Sequence, residues 1–266
     1  MSHRIAVTGA AGSVGRACLD ALTDDEFAVT ALTHRERDGI DSVVVDIVED
    51  ADALEETFTG HETVLHLAGD PSPDAEWESV LETNIHGTHN VFEAARSAGV
   101  DRVCFASTNH VQHMYNIGEP GHPELTRADP IPVSPDDPPR PDSYYGVSKL
   151  AGEGLASYYS DTYGLDALNL RIGWLLTEEE LRSFQDEDPG RARQARVMWL
   201  SPRDWRHAAR QAVRADVEGV HALNVLSRNS ERYFSLTEAM RTIGYAPRDD
   251  SAVVVGSPVS DQNGDT

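Results

Sequence analysis

Lysine is almost absent from this chain. Among its 22 Lys and Arg residues Lys149 is the only lysine, whereas 45 residues are Asp or Glu and the formal net charge is −23. A protein of this charge has no basic face for a phosphate backbone, so we expect no nucleic-acid partner. The acidic residues are scattered rather than gathered in one tail, which favours a solvated surface adapted to concentrated salt. An ordinary acidic protein is the alternative.

Cysteine is scarce, and long apolar runs are missing. Cys18 and Cys104 are the only cysteines, and they match neither a disulfide framework nor the spacing of a metal site, so we predict no bound metal. No run approaches the ~18 apolar residues that a membrane-spanning helix needs. The chain opens on a strand-like segment rather than a signal peptide. These absences indicate a cytoplasmic protein without a membrane partner.

Short apolar runs alternate with helical patterns, which is typical of strands buried on both faces of a sheet. The alternation predicts an α/β fold of the Rossmann type, with a doubly wound parallel sheet. We expect a single domain with a dinucleotide-binding core over 1–172, a small C-terminal substrate lobe over 173–255 and a disordered tail over 256–266. The predicted strands are 4–9, 27–32, 42–47, 63–69, 102–107, 165–173 and 221–227, and the main predicted helices are 14–22, 76–98, 143–163 and 235–243.

Residues 113–142 interrupt this rhythm, because proline, glycine and charged residues dominate there. Long loops in compact domains are usually functional or else linkers. The position of this loop directly before Tyr145 predicts a lid over a substrate. A solvated surface insertion is the alternative.

The segment VTGAAGSVG follows the first predicted strand and opens the first helix. Gly9, Gly12 and Gly15 allow a tight turn and a close backbone approach to a pyrophosphate, and Ser13 and Val14 begin the helix. The free N–H groups of a helix N-terminus then favour an anion. The context between strand and helix predicts a dinucleotide site.

The end of the second predicted strand indicates which dinucleotide is bound. An acidic residue there bonds the 2′-hydroxyl of NAD, whereas arginine accepts the 2′-phosphate of NADP. The chain has Thr33, His34 and Arg35 at this point, so we predict a preference for NADP; Glu36 could instead reach back and bind NAD. The rest of the predicted site comes from the ends of other strands: Asp46 and Ile47 at the adenine, and Leu67, Ala68, Gly69 and Ile172 on the ribose and nicotinamide side.

Tyr145 and Lys149 lie four positions apart and therefore share one helix face. A phenol with a pKa of ~10 is a poor base at neutral pH, and a fixed ammonium beside it should lower that pKa. Arginine is bulkier and planar and does not replace a lysine at such a position. This geometric requirement explains why the chain keeps one lysine.

The glycine motif TGxxGxxG together with YxxxK after the fifth strand resembles the short-chain dehydrogenase/reductase superfamily. The chain length, the C-terminal lobe and the ending SLTEAMRTIGYAP resemble its extended branch. The segments HLAGDPSPDAEW, NIHGTHNVFEAA, FASTNH, YGVSK and LRIGW are similar to the sugar 1-dehydrogenases of that branch, namely the uronate dehydrogenases and the glucose-6-phosphate and L-arabinose 1-dehydrogenases of halophilic archaea.

This resemblance implies four catalytic roles. Tyr145 is the general base that takes the proton of the anomeric hydroxyl, and Lys149 lowers its pKa and bonds the nicotinamide ribose. Thr108 matches the catalytic Ser/Thr that bonds the reacting oxygen, and Asn84 matches the helix asparagine beside the nicotinamide. Hydride then leaves C1 for NAD(P), and a lactone results. Homo-oligomerisation through helices 76–98 and 143–163 is also implied.

The substrate residues are predicted from their places near strand ends and from the resemblance. Arg196 is the nearest match to the arginine that binds the sugar carboxylate in uronate enzymes, and Trp199 offers a stacking face; a surface ion pair is the alternative for Arg196. A packed strand-end histidine is the alternative for His110. The further candidates are Asp70, Ser72, Thr108 and Asn109.

The favoured function is NADP-dependent oxidation of L-arabinose, because the THR segment suits NADP and no phosphate-binding group is evident outside the glycine loop. The alternatives are glucose 6-phosphate, which the arginines at 191, 193 and 196 would hold, and then a uronate. A nucleotide-sugar epimerase or dehydratase is disfavoured by the short chain and by the lack of an acidic pair after Ser107-Thr108. A non-catalytic redox sensor that binds NAD(P) would predict a broken catalytic set.

Overall fold

A seven-stranded parallel sheet forms the centre of the computed structural model, which describes residues 2–256. The sheet order is β3-β2-β1-β4-β5-β6-β9, and two further strands, β7 and β8, pair with each other in a small parallel sheet. The strands are β1 (His3–Thr8), β2 (Phe27–Thr33), β3 (Val43–Val44), β4 (Thr63–His66), β5 (Arg102–Thr108), β6 (Asp166–Ile172), β7 (Trp174–Leu175), β8 (Trp199–Leu200) and β9 (Val220–Val225).

Helices cover both faces of the sheet. A π-helical stretch, Val80–His86, joins α3 to α4 without a break, and short 3-10 turns follow β5 and α6. The helices are α1 (Ser13–Ala21), α2 (Ala51–Phe58), α3 (Trp77–Ser79), α4 (Gly87–Ser97), α5 (Tyr144–Tyr163), α6 (Glu178–Ser183), α7 (Pro189–Met198), α8 (Pro202–Arg214), α9 (Thr237–Thr242) and α10 (Ser251–Val255).

Two hydrophobic cores hold these layers together. On one face Cys18 of α1 and Trp205 of α8 pack against the sheet. On the other face Leu54 of α2, Phe92 of α4 and Ala156 of α5 pack in the same way. Burial of strands on both faces explains their continuous apolar runs. The predicted α/β fold with a doubly wound parallel sheet is therefore confirmed.

The third predicted strand and the C-terminal region differ in detail from the sequence expectation. Only Val43 and Val44 of segment 42–47 form a strand, and both are exposed at the sheet edge. From the region beyond 172, β9 extends the main sheet and α8 covers one of its faces, while β7, β8, α6, α7 and α10 build a separate small layer. Of the tail predicted to be disordered, residues 257–266 lie outside the described residues.

The loop 113–142 is tied down by buried side chains. The amide of Gln112 donates to the carbonyl groups of Ser134 and Asp137 at 2.9 and 2.6 Å, and Arg171 of β6 donates to the carbonyl of Pro135 at 2.9 Å. The guanidinium of Arg171 is also paired with Glu153 of α5 at 2.8 Å. These bonds hold residues 134–137 of the loop against β6 and the turn after β5. The role of the loop as a lid stays a prediction.

Between residues 2 and 256, the helices are too short or too polar to cross a membrane.

Candidate active site

Glycine is required at two positions of the loop after β1. Gly9 has a φ of 68°, and a Cβ atom there would lie 2.6 Å from the backbone nitrogen of Ala68. A Cβ atom at Gly15 would lie 2.3 Å from the carbonyl oxygen of Gly9. The two glycines therefore let the start of α1 pack directly on the ends of β1 and β4.

Gly12 has a different environment. A Cβ atom there would meet only the carbonyl oxygen of Gly9, at 3.5 Å, so the protein itself leaves room for a side chain. That room faces a groove of about 800 Å³. Gly12 is also the N-cap of α1, and it offers no side chain to bond the first N–H groups of the helix. Space and free donors at one point fit the pyrophosphate of a dinucleotide.

Most of the predicted dinucleotide-binding residues line this groove. Its walls come from the glycine loop and from the carboxyl ends of β2 and β4, as expected for a ligand at the switch point of an open sheet. The predicted residues found there are Gly9, Gly12, Ser13, Val14, Gly15, Thr33, His34, Asp46, Ile47, Leu67, Ala68 and Gly69.

Arg35 is an exception among the predicted residues, because it does not line the groove. Arg16 and Arg37 line it instead, and both also line an adjoining depression of about 680 Å³ at the end of β2. The Nε atom of Arg37 is buried and has no hydrogen-bond partner in residues 2–256. The guanidinium of Arg16 donates from Nε to the carbonyl of Ala11 at 3.1 Å, so it is held beside the glycine loop.

Thr108, Tyr145 and Lys149 meet at a second cavity of about 420 Å³, which adjoins the groove. Thr108 ends β5, whereas Tyr145 and Lys149 come from the first turns of α5. Ser143 caps α5 by accepting a hydrogen bond from the N–H of Gly146 at 3.1 Å. Ile172, at the end of β6, lines the same cavity. The proposed catalytic groups therefore line a cavity that shares Gly69 and Asp70 with the groove.

The pKa values of Tyr145 and Lys149 differ from the sequence expectation. Burial raises the pKa of Tyr145 to about 12, although its hydrogen bond with Thr108 acts in the other direction, and burial lowers the pKa of Lys149 to about 8. The predicted lowering of the tyrosine pKa by Lys149 is not found in this structure, where desolvation is the largest effect. Burial therefore disfavours the charged form of both side chains, the phenolate of Tyr145 and the ammonium of Lys149.

Asn84 lies in the π-helical stretch Val80–His86 and does not line either cavity. Its amide accepts from the N–H of Asp70 at 2.7 Å and donates to the carbonyl of Asp70 and to the hydroxyl of Ser148, both at 3.0 Å. A Cβ atom at Gly69 would lie 2.8 Å from Oδ1 of Asn84 and 3.2 Å from Nζ of Lys149. Asn84 therefore fixes the end of β4 against α5, and a π-helical turn at such a place is typical of functional sites.

The predicted substrate residues divide into two groups. Asp70 and His110 line the cavity of Tyr145. Ser72 and Asn109 do not: the N–H of Ser72 donates to Asp70 at 3.0 Å, and Asn109 is fully buried with both side-chain polar atoms unpartnered among the described residues.

Arg196 and Trp199 were predicted to bind substrate, and the structure places neither at the cavity. Arg196 is paired with Glu231 at 2.9 Å and donates to Gln185 at 2.8 Å, which is the ion pair considered as the alternative. Trp199 is fully buried, and its indole N–H donates to the carbonyl of Leu176 at 2.8 Å. The pairing of β8 with β7 turns Trp199 into the interior.

Trp174 and Gln194, which sequence reasoning missed, line the cavity from this side. Arg191, predicted only as a possible phosphate ligand, lines it beside them. The guanidinium of Arg191 lies 5.2 Å from the ring centroid of Trp174 and 3.8 Å from the carboxylate of Glu187. Gln194 is buried on α7. The spacing of Arg191 and Gln194 puts them on one face of α7, but the Arg- and Ala-rich helix has no apolar stripe that would have revealed this face.

Comparisons with known proteins agree with this geometry. The chain is 58% identical over 253 residues to the L-arabinose 1-dehydrogenase (NAD(P)(+)) of Haloferax volcanii, and the match spans 95% of this chain and 99% of the relative. It is 36% identical over 262 residues to the NAD-dependent glucose-6-phosphate dehydrogenase of the same organism, with 95% of each chain covered. The crystal structure of a glucuronic acid dehydrogenase from Chromohalobacter salexigens superimposes with a TM-score of 0.78 at 29% identity, over 95% of this chain and 87% of the other.

The sequence model of the NAD dependent epimerase/dehydratase family matches residues 5–192. This range begins in β1 and includes the glycine loop, Thr108 and the Tyr145–Lys149 pair. The predicted resemblance is confirmed, and the chain belongs to the NAD dependent epimerase/dehydratase family.

Proposed function

We propose that the protein is an NAD(P)-dependent sugar 1-dehydrogenase that oxidises the anomeric hydroxyl of L-arabinose to the lactone. One observation carries the proposal: Thr108, Tyr145 and Lys149 line one cavity of about 420 Å³, which adjoins a dinucleotide-sized groove and shares Gly69 and Asp70 with it. The 58% identity to a relative named L-arabinose 1-dehydrogenase supports the choice of substrate.

In this proposal Thr108 and Tyr145 act on the hydroxyl group of the anomeric carbon, and Lys149 acts on Tyr145. The hydroxyl of Thr108 bonds the reacting oxygen, and the phenolic oxygen of Tyr145 takes its proton. The ammonium of Lys149 stabilises the phenolate before that step. When bound, the oxidised nicotinamide supplies the hydride acceptor. The C1–H and O–H bonds of the sugar break, and a C=O bond forms.

The cavity supports a neutral sugar better than a phosphate ester. Of the three arginines that would hold a phosphate, only Arg191 lines the cavity. Arg193 donates to the carbonyl of Arg127 at 2.9 Å, and Arg196 is paired with Glu231. The other polar lining groups include the carboxyl of Asp70, which disfavours an anion, and the uncharged amide of Gln194. Arg191 alone favours glucose 6-phosphate as the second candidate.

The function is tested by reduction of NADP in concentrated KCl with L-arabinose, glucose 6-phosphate and glucuronate as substrates. We expect kcat/KM to be highest for L-arabinose. Its hydroxyl groups can hydrogen-bond uncharged groups of the cavity, and its binding buries no charged group of the substrate. The product is identified as a lactone by its reaction with hydroxylamine. A higher kcat/KM for glucose 6-phosphate would move the assignment to that ester, and no turnover with any sugar would refute the dehydrogenase.

The preference for NADP is a further part of the proposal, and Arg16 and Arg37 support it. Both side chains reach the depression beside the end of β2, where Thr33 stands in place of an acidic residue. The buried Nε–H of Arg37 is a donor that has no acceptor within the described part of the chain. A 2′-phosphate would supply that acceptor and two arginine charges would neutralise it.

Arg37→Ala should weaken NADP binding about 10- to 100-fold and leave NAD binding within about twofold, because only NADP loses a charge-assisted hydrogen bond. The matched control is Arg35→Ala, which removes an equal charge two residues away from a side chain outside the groove. Both dissociation constants are measured by quenching of tryptophan fluorescence. If Arg35→Ala weakens NADP binding more than Arg37→Ala does, Arg35 and not Arg37 binds the 2′-phosphate.

The protein is further proposed to be a homo-oligomer. Apolar side chains are exposed on α3, α5 and the π-helical stretch, namely Trp77, Leu81, Tyr144 and Val147. The rings of Trp77 and Tyr144 touch, with centroids 5.6 Å apart, so the residues form one patch. Light scattering that gives the single-chain mass of 29.1 kDa in concentrated KCl would refute an oligomer.

We further propose that the protein is adapted to concentrated salt and is located in the cytosol. The net charge of −23 supports the first, since screening removes the self-repulsion of such a surface. The two cysteines support the second, because Cys18 and Cys104 are free and buried. The intact set of Thr108, Tyr145 and Lys149 supports an enzyme over a redox sensor without turnover.

A further inference from the structure

A buried carboxylate joins the start of α5 to the turn that follows β5. Asp142 directly precedes Ser143, the N-cap of α5, and its side chain is 1% exposed. Its Oδ2 atom lies 2.8 Å from Nδ1 of His110 and 2.8 Å from Nδ1 of His113. Its Oδ1 atom lies 3.0 Å from Nδ1 of His110 and accepts a hydrogen bond from the hydroxyl of Ser143 at 3.0 Å.

The charge state of this carboxylate fixes the protons of both histidine rings. Burial acts to raise the pKa of Asp142, but the hydrogen bonds from His110 and His113 outweigh it and hold the pKa well below its usual range. An ionised carboxylate only accepts hydrogen bonds. Nδ1 of each histidine must therefore carry a proton, whether or not the other ring nitrogen is also protonated.

His110 is the member of this group that faces the substrate. It lines the cavity with Thr108 and Tyr145, and its side chain is 14% exposed. Its ring stands edge-on to that of Tyr145, with the centroids 5.7 Å apart and the planes at 71°. Because Nδ1 is bound to Asp142, Nε2 is the one ring nitrogen of His110 that a ligand can use.

His113 has a different place. Its side chain is 0% exposed, and its ring is stacked on Tyr233 with an angle of 10° between the planes. Burial lowers the pKa of His113, so the ring is neutral and donates to Asp142 from Nδ1. It does not line the cavity, so it contacts the carboxylate away from the lining residues.

We propose that Asp142 is a positioning residue that fixes the Nδ1–H form of His110, and so presents Nε2 of His110 to a hydroxyl group of the sugar. When Nε2 carries no proton, a ring held in this form offers Nε2 as an acceptor, which suits a hydroxyl and not a carboxylate or phosphate oxygen. The proposal rests on the sugar-oxidising function proposed above. It adds a specificity device in which Asp142 acts through His110 and touches no substrate itself.

The first test reads the protons directly and needs no activity. Protein labelled with ¹⁵N in its histidines is studied by long-range ¹H–¹⁵N correlation, and the signals are assigned from His110→Phe and His113→Phe. We expect both rings to show a protonated Nδ1 in the native protein, and addition of L-arabinose to shift Nε2 of His110 but not that of His113. An unprotonated Nδ1 on His110 would overturn the proposal even if sugar oxidation is confirmed.

The second test uses Asp142→Asn, whose amide can donate to Nδ1 and so release the fixed form. We expect KM for L-arabinose to rise about 10- to 100-fold, as for loss of an oriented hydrogen bond, while kcat falls less and the dissociation constant of NADP stays within about twofold. The matched control is Asp137→Asn in the same loop, where the carboxylate accepts from the N–H of Ser134 at 2.7 Å and touches no histidine. This control should leave KM and the His110 signals unchanged.

Three outcomes would overturn the proposal. One is a folded Asp142→Asn protein with unchanged KM for L-arabinose, and another is an equal rise in KM in the Asp137→Asn control. The third concerns a metal, because the ligand atoms of His110, His113 and Asp142 lie within 4.8 Å of one another. Activity lost in EDTA and restored by Zn²⁺, with both Nδ1 atoms metal-bound in the ¹⁵N spectra, would make the three residues a metal site instead.

Discussion

Tyr145→Phe should abolish sugar oxidation while the protein still binds NADP. The substitution removes one oxygen atom and leaves the ring that packs beside His110, so the fold and the dinucleotide groove keep their shape. General bases contribute about 10²- to 10⁴-fold to rate, and we expect a loss in kcat at the upper end of this range. The loss should fall on kcat with little change in KM, since the proton moves only in the transition state.

The neighbouring residue gives this experiment a matched control. Tyr144 has the same side chain one position earlier on α5, is 57% exposed and does not line the cavity. Tyr144→Phe should therefore oxidise L-arabinose at the native rate. Steady-state assays and NADP titrations of the two variants decide the matter: substantial turnover by Tyr145→Phe would remove the tyrosine from the role of base.

Lys149→Arg should be nearly as damaging, although it keeps the positive charge. Lys149 is 4% exposed, with Nζ 5.0 Å from the ring centroid of Phe105 and close to the backbone of Gly69. A planar guanidinium needs more room than this pocket has, so either Asn84 or the end of β4 must move. We expect kcat/KM to fall about 10²- to 10³-fold, with weaker NADP binding as well.

The control for this variant is the reverse exchange at the surface. Arg241 on α9 has a side chain that is 74% exposed, so Arg241→Lys should leave both kcat/KM and the melting temperature unchanged. Kinetics and thermal unfolding of both variants are measured in the same concentrated KCl. The comparison shows whether activity is lost because position 149 needs lysine or because any exchange of lysine and arginine is harmful. Near-native activity of Lys149→Arg would contradict our explanation of the single lysine.

The parts of the site that could be predicted from sequence follow local geometric rules. Tyr145 and Lys149 share a helix face because they lie four positions apart, and Gly9 and Gly15 occupy points where any Cβ atom would meet backbone. Parallel pairing of the strands follows in the same way from the alternation of apolar runs and helices. Such rules can be applied when only the residues of one helix or strand and of the loop that follows it are known.

The predicted residues that the structure places outside the groove and the cavity have contacts set by distant segments. Trp199 turns inward because β8 pairs with β7, and Arg196 turns to Glu231, which lies on a later loop. Arg37 rather than Arg35 reaches the groove because the chain beyond β2 is irregular and has no period from which to read side-chain direction. Asp142 contacts His113, which lies 29 positions earlier in the sequence, and no local pattern predicts this contact.

The enclosure of Lys149 has a consequence for the chemistry of the whole chain. A reagent that attacks amines finds one ε-amino group in this protein, and that group is 4% exposed at the junction of groove and cavity. Its pKa of about 8 leaves much of it unprotonated, and hence nucleophilic, in mildly alkaline buffer. Acylating dyes and cross-linkers therefore find no exposed ε-amino group on this protein. Acylation of Lys149 reports a single event, the opening of that junction, and a bound dinucleotide should suppress it.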